Sequence, residues 1–291
     1  MIVKENPIPI YGKFLPNDAT HSFVTQRQIP FLARISCTLP SPSNGKTVLS
    51  CDMDNGHTEQ VNIDISNIMN LEKIYKARLW DDIMNVVDVG DEPVSFLKKV
   101  IPDLPEEYNS IRVVAFHPKV TKRNVDPKFV PWTAHLSPSN TDVSPPVAFA
   151  DGYPILIASE SSLQELNRRL TQKGKTPLPM SRFRPNIVIK NTQPFEEDTW
   201  KIIQIGKNTI AHIVKGCPRC KQSCTDQATG EVTEEPLETL AEFRNCDDDN
   251  NSSDVFFCQN AIIENIGDEK DYVLNVGDKV RVLKRGKPVW G

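Results

Sequence analysis

"TWKIIQIGKNTIAHIVKGCPRCKQSC", residues 199–224, sets two runs rich in Ile, Val and Thr on either side of Gly206-Lys207-Asn208 and ends in a cluster of cysteines. The runs 199–206 and 209–215 read as short strands, because such residues suit a pleated, half-buried surface and Gly and Asn punctuate it. The texture repeats outward. "YPILIA" (153–158), "NIVIK" (186–190) and "DKVRVL" (278–283) are further short strands, bounded by turn residues. Between the first two, "SSLQELNRRL" (161–170) reads as a helix. Ser162 and Glu165 have capping-box spacing, and Leu163, Leu166 and Leu170 fall on one face. Many short strands with few helices predict an α+β protein in which this half is a small β-barrel with peripheral helices.

Upstream, residues 118–149 hold Pro118, Pro127, Pro131, Pro138, Pro145 and Pro146 among polar residues. Such a stretch reads as a linker or long surface loop, and it divides the chain into expected domains at 1–118 and 119–291. In the first part, "SFVTQRQIPFLARISCTL" (22–39) reads as two short strands around Pro30, and "GDEPVSFLKKVI" (90–101) as a helix. Asp91 is its candidate N-cap, Pro93 lies in the first turn, and Val94, Leu97 and Ile101 recur at helical spacing. "CDDDNNSSD" (246–254) offers carboxylates, amides and hydroxyls and nothing to bury, so it reads as a flexible loop.

Composition excludes some functions. The chain has 34 basic and 38 acidic residues, a formal net charge of −4, and only 7% aromatic residues. It therefore lacks the basic excess and the stacking surface of a nucleic-acid binder. Seven cysteines, an odd number at irregular spacing in 291 residues, point to a reducing compartment rather than a disulfide scaffold. The opening "MIVKENPIPIYGKF" is broken by charges and prolines, unlike a signal peptide. No stretch approaches the ~20 apolar residues of a spanning helix.

The cluster Cys217, Cys220, Cys224 admits several chemistries. A structural zinc needs four ligands, and only His212 is at hand to complete the set. An iron–sulfur cluster needs a fourth thiolate, for which Cys246 or Cys258 would have to fold back. A redox dithiol wants its C-x-x-C at a helix N-terminus after a strand, whereas "KQSCTDQATGE" reads as loop. Buried or idle thiols remain the plain alternative.

The order of the blocks around the cluster is more specific. "FADGYPILIASESSLQELN" (149–167), "FRPNIVI" (183–189), "EEDTWKIIQIG" (196–206), "CPRC" (217–220) and "EPLETLAEFR" (235–244) together resemble the MOSC domain, the carboxy-terminal domain of molybdenum-cofactor sulfurases. With "FVTQRQIPFLARI" (23–35) and "DVGDEPVSFL" (88–97) upstream, nearly the whole chain is similar to the amidoxime-reducing components of mitochondria and bacteria. The resemblance implies a β-rich amino-terminal domain packed on a MOSC β-barrel, with a molybdenum–molybdopterin cofactor at their interface. It implies Cys220 as metal ligand and catalytic residue, because a soft thiolate suits the metal and leaves other positions open. Gly152, Tyr153, Arg184, Asn186, Pro218 and Arg219 are the implied cofactor contacts. Arg184 offers a planar fork to phosphate or carbonyl, Asn186 a donor and an acceptor to the pterin, and Arg219 a cation to lower the ligating thiol's pKa.

The sequence departs from the family at three places. Pro218 replaces a common serine and loses a hydroxyl and an amide donor. Cys224 replaces a small hydroxyl residue. Relatives carry Tyr-Pro-x-Lys-Ser and Arg-Arg-Trp stretches before the segment matching "MIVKEN", so the first strands, further cofactor contacts and any anchor are expected either to lie upstream of an internal Met1 or to have been lost with part of the site. The function implied is reduction of N-hydroxylated substrates such as amidoximes and hydroxylamines. Electrons would come from NADH through a flavin reductase and a small b-type haem protein, in the cytoplasm or at the mitochondrial outer membrane. A non-catalytic cofactor binder, and a sulfurase-related role in a family linked to pyridoxal phosphate, are the alternatives.

Overall fold

A computed structural model describes residues 1–6, 19–38, 45–64, 73–130, 144–245, 254–266 and 273–290. They form two compact units: Met1–Arg123 together with Thr225–Val232, and Asn124–Cys224 together with Thr233–Gly291. A single boundary at 118/119 does not anticipate the return of Thr225–Val232 to the first unit. The expected loop at 246–254, apart from Asp254, and part of the Pro-rich stretch, 131–143, lie outside the described residues.

The first unit is built from β1 (Ile2–Glu5), β2 (His21–Val24), β3 (Ile35–Cys37), β4 (Lys46–Asp52), β5 (Thr58–Asp64), β6 (Ile74–Leu79), β7 (Asp82–Asp88), α1 (Glu92–Val100) and β8 (Arg112–Ala115). Strands β1-β2-β6-β7-β8 close into a barrel, and β3-β4-β5 make a separate three-stranded sheet. The two strands expected around Pro30 are β2 and β3, joined by a 3-10 turn at Pro30–Arg34. Helix α1 buries Pro93, Val94, Phe96, Leu97 and Val100, as the 3.6-residue period requires. Asp91 precedes it, but its side chain makes no cap bond. Its Oδ1 instead accepts from Arg112 Nη1 at 2.6 Å, because that guanidinium, also paired with Asp88 at 2.6 Å, is the stronger donor. The segment Thr225–Val232 is held here by a reciprocal amide pair: Gln227 Nε2 donates to Gln26 Oε1 at 3.0 Å, and Gln26 Nε2 returns a bond at 3.3 Å. Gly230, at φ +77, packs directly on the backbone of Pro30 and Phe31.

The second unit contains β9 (Ile155–Ser159), α2 (Glu160–Gln172), β10 (Ile187–Ile189), β11 (Trp200–Ile205), β12 (Thr209–Pro218), α3 (Leu237–Ala241), β13 (Phe256–Asn265) and β14 (Val280–Arg285). These strands form one six-stranded half-barrel sheet in the order β10-β9-β13-β12-β11-β14. Only β9 and β10, connected through α2, are parallel. The molecule is thus mixed α+β and mostly strand, as the sequence predicts. One cluster fills the helix-covered face, with Leu166, Leu170, Phe183, Leu240 and Phe257. Another, with Ile157, Trp200, Ile203, Ala211 and Ile213, fills the opposite face.

Two local readings change. Ser162 is not a cap residue: it lies inside α2, buried, donating to Glu197 Oε1 at 2.6 Å and accepting from Phe195 N at 2.7 Å. Glu165 turns outward to Arg168 and Arg169, at 2.7 and 2.8 Å. The central strand β13, "FFCQNAIIEN", has no counterpart in the sequence reading. It pairs with β12 from Thr209↔Asn265 to Pro218↔Phe256, and with β9 on its other side.

Candidate functional site

The cysteine cluster emerges from the end of the longest central hairpin. Strand β12 carries Gly216, Cys217 and Pro218 as its last residues, and β13 matches it with a bulge, its register shifting between Gly216 and Pro218. Cys258 sits in that bulge with φ +71, a left-handed conformation that costs a non-glycine residue about 1 kcal/mol or more. Beyond Pro218 the chain stays tethered, for Arg219 N donates to Val255 O at 2.8 Å. Then the 3-10 turn Lys221–Cys224 begins. Ser223 fixes its start, giving both its amide (2.9 Å) and its hydroxyl (2.8 Å) to the carbonyl of Cys220. The end is fixed at Cys224, whose carbonyl accepts from buried Arg182 Nη1 at 2.8 Å and from Thr233 N at 3.0 Å. Cys220 is therefore a half-exposed thiol on a short loop pinned on both sides.

The hydrogen bond of Arg219 goes to Cys217, while its charge also lies near Cys220. Residues 217 and 219 share one side of the extended chain end, as alternate residues must, so Nη1 of Arg219 donates to Cys217 Sγ at 2.9 Å. Its Nη2 donates to Phe183 O at 3.2 Å, with the guanidinium 5.5 Å above the Phe183 ring. Burial opposes the arginine's charge, yet the thiols of Cys217, Cys258 and Cys220 around it hold its pKa above the ordinary value. Its Nε is buried and has no hydrogen-bond partner. Burial pushes the Cys217 thiol up despite Arg219, and the nearby carboxylate of Asp151 adds to the rise. Burial likewise raises Cys258 and Cys224.

The other expected contacts divide. Arg184 follows Phe183, the residue whose carbonyl holds Arg219, so "FRPN" is tied to the cysteine loop through one hydrogen bond. Arg184 is exposed and strained, at φ +55, and its amide donates to Ser181 O at 3.2 Å. Asn186 is already employed: its amide donates to Leu156 O at 2.9 Å and its Oδ1 accepts from Leu156 N at 2.8 Å, extending the β9–β10 pairing. Among the described residues its Nδ2 makes no hydrogen bond. Gly152 has nothing within 4 Å of where a Cβ would stand and no left-handed φ, so no protein atom requires glycine there. Tyr153 packs into a side cluster with Val125, Val130, Val147 and Ile262, its ring 6.1 Å from Phe129. Burial, with Asp126 nearby, pushes its phenol well above the usual range. Pro218 is exposed opposite Phe256.

Two polar groups beneath the loop escaped the sequence reading. Arg244 holds Asp198 in a buried fork at 2.8 and 3.1 Å, Gln259 Nε2 adds a bond to Asp198 at 2.7 Å, and Arg244 Nε donates to Phe256 O at 2.9 Å. Beside them, Glu197 is buried with Oε2 unpartnered, and burial lifts its carboxyl to about 7. His212, a paper candidate for zinc, is committed to Glu264 at 2.6 Å. Among the described residues no group of three or more His, Cys, Asp or Glu is placed to hold a metal ion. No helix among them is long and apolar enough to cross a membrane.

Comparison with known proteins agrees with the order of the blocks. The family described as the MOSC domain matches residues 144–281. Mitochondrial amidoxime reducing component 2 of Rattus norvegicus is 33% identical over 261 residues, which cover 88% of this chain and 68% of the relative. Mitochondrial amidoxime-reducing component 1 of Homo sapiens is 29% identical over 266 residues, covering 90% and 69%. A molybdenum cofactor sulfurase of Aspergillus terreus is 33% identical over 153 residues, covering 49% of this chain but 18% of the relative. Identity at that level across both units, with the ordered motifs on the β9-to-α3 half, means that this chain belongs to the MOSC-domain family that includes the mitochondrial amidoxime-reducing components.

Proposed function

We propose that the chain is a molybdenum-cofactor-binding oxidoreductase that reduces N-hydroxylated compounds, amidoximes and hydroxylamines, with Cys220 as the protein ligand to the metal. The observation that carries the reading is the pairing of a half-exposed, pinned thiol with an orphaned donor beside it. A buried N–H without a partner costs about 1–3 kcal/mol, and Arg219 Nε regains that when an acceptor arrives. A pterin dithiolene cofactor brings such acceptors, in its carbonyl, phosphate and sulfur atoms, so the residues present fit it. Arg184, exposed beside the loop, supplies a fork for the phosphate, and Asn186 Nδ2 a donor to the ring. The amides of Gly152 and Tyr153 provide backbone donors near Asp151.

When bound, the metal supplies two-electron oxygen-atom chemistry: the N–O bond of the substrate breaks, and two electrons and two protons yield the amidine or amine and water. The protein's part is to hold Cys220 in place, neutralise the cofactor's anionic groups with Arg184 and Arg219, and leave the thiol side of the loop open. The electron donors follow from the family: NADH, a flavin reductase and a small b-type haem protein. The names of the amidoxime-reducing relatives place them in mitochondria, which makes a mitochondrial association the first location to test. The match to the sulfurase spans 18% of that relative, too little to carry sulfuration, or its pyridoxal phosphate chemistry, to this chain.

The test is purification from a host that makes the cofactor, with molybdenum and pterin measured per chain, and reduction of a model amidoxime with a reduced dye as donor. Cys220→Ser is expected to lose molybdenum and turnover together, because a hydroxyl is a poor ligand for a soft site. Cofactor bound without turnover would identify a carrier, and a protein free of molybdenum and pterin would overturn the reading.

A further inference from the structure

The chain's last residues act on the cysteine loop from behind. After β14 the backbone turns back at Gly286, whose amide donates to Thr199 O at 2.8 Å. It then runs to the end of β12, where Val289 O accepts from Gly216 N at 2.8 Å. Gly216 immediately precedes Cys217. The indole of Trp290 packs directly against it: a Cβ built on Gly216 would stand 2.6 Å from Trp290 Cε3 and 2.9 Å from Cζ3. Real Cβ atoms do not come so close, so the glycine is required by the ring and not by its own backbone angles, which lie outside the left-handed region. The indole is bordered by Phe256, 5.2 Å between ring centroids, and by the Arg244 guanidinium at 5.3 Å, and Phe256 Cδ1 itself lies 3.1 Å from the same Cβ position. Phe256 is the residue registered opposite Pro218. Arg244 in turn is locked by Asp198 and by the Phe256 carbonyl.

The geometry points to Trp290 as a positioning residue: the terminal strap Gly286–Trp290 clamps the end of β12 and so fixes where Cys220 projects. The strap touches the strand at one residue on each side of the hairpin end, Gly216 and Phe256, and these are the residues that flank the bulge from which the loop leaves. Without the indole, the last turn of the hairpin keeps its β12–β13 hydrogen bonds but loses the wedge that resists its tilting. Cys220, four residues along, feels that tilt before the buried thiols do. For its functional meaning this inference rests on Cys220 being the metal ligand. Its structural content does not.

The experiment measures alkylation of each thiol by iodoacetamide in metal-free protein, resolved by peptide mass spectrometry, with exposed Cys37 as internal reference. Molybdenum content after loading is measured in parallel. Trp290→Ala is expected to speed alkylation of Cys220 about tenfold, as local opening of a released segment does, with Cys37 unchanged and buried Cys224 and Cys258 still slow. Trp290→Phe is expected to restore the wild-type rate to within about twofold, since a six-membered ring still packs against Gly216 and Phe256. Gly216→Ala, which leaves the tail intact but drives the ring off, is expected to match Trp290→Ala, and the double variant to exceed neither, the non-additivity of residues that act as a pair.

Unchanged Cys220 reactivity in folded Trp290→Ala, or parallel exposure of Cys220, Cys224 and Cys258, overturns the inference. If Trp290→Ala does not fold, Gly216→Ala and Trp290→Phe decide by the same rates. A wild-type protein that binds no molybdenum but shows this alkylation pattern refutes the ligand role of Cys220 and leaves the clamp standing. Normal loading with flat alkylation rates does the reverse.

Discussion

Replacing Glu197 with Gln should make the protein more stable at pH 8 and leave it nearly unchanged at pH 4.5. Glu197 is buried; one oxygen accepts from Ser162 at 2.6 Å and the other has no partner. Burial raises its carboxyl from the ordinary 4.5 to about 7, with Ser162 and Arg244 pulling weakly the other way and Asp198 adding to the rise. Between those two values the folded chain holds a proton that the unfolded chain has released. Stability therefore falls as pH climbs through that window, with the whole penalty present above about 7 and absent below the unfolded value. A displacement of 4.5 to about 7, at 1.36 kcal/mol per unit, makes the penalty on the order of 3 kcal/mol. Gln keeps the acceptor for Ser162 and carries no charge at any pH, so it removes the pH-dependent part only. Urea unfolding of both proteins at pH 4.5, 6 and 8 reads the difference directly. A gap that grows with pH to a few kcal/mol supports the argument. A gap that is flat from pH 4.5 to 8, or a wild-type protein that gains stability over that range relative to Gln, refutes it and means that Glu197 is ionised in the fold.

Two further substitutions test the site from below and beside it. Cys217→Ser should retain most of the bound molybdenum and turnover, because Cys217 is occupied by Arg219 at 2.9 Å and is held protonated by burial; loss equal to that of Cys220→Ser would identify a two-thiol site instead. Asp198→Asn removes the buried carboxylate that Arg244 grips at 2.8 and 3.1 Å, and breaking a buried ion pair costs about 3–5 kcal/mol. In a thermal melt this should appear as a fall of roughly 6–20 °C, and a shift of a degree or two would show that the asparagine amide oxygen and the Phe256 carbonyl suffice to hold the guanidinium.

The strands that alternate cleanly were legible in the sequence. β11, β12 and β14 lie where Ile, Val and Thr recur, and α2 buries Leu166 and Leu170 as its period demands. β13 was not legible, although it is the centre of the sheet, because Cys258, Gln259 and Asn260 break its apolar run. The polar middle is tolerated only through partners far away in sequence: Gln259 reaches Asp198, 61 residues off, and the bulge at Cys258 absorbs the mismatch with β12. At the site, spacing alone left zinc, a cluster or a dithiol open, and the proposal of Cys220 rests on the order of the motif blocks. Which thiol Arg219 faces depends on where β12 ends, a matter of register that composition does not carry. The strap 286–290 has no counterpart in the sequence reading, because Gly286, Lys287 and Pro288 give no strand or helix period, and only the close approach of Trp290 to Gly216 gives it a role.

The return of Thr225–Val232 to the first unit bears on how this chain is made. Gln26 and Gln227 are 201 residues apart, so the pair that joins them cannot form until the residues between them have been synthesised. At about 5–20 residues per second, synthesis of the stretch between Arg123 and Thr225 takes on the order of 5–20 s. During that interval Pro30 and Phe31 wait without Gly230 against them. Completion of the first unit is therefore timed by translation of the second, and the eight-residue segment that closes it arrives directly after Cys220 and Cys224 have been made. Release of the finished amino-terminal unit and appearance of the cysteine loop are thereby consecutive events on the ribosome, in that a nascent chain long enough to complete one already carries the other.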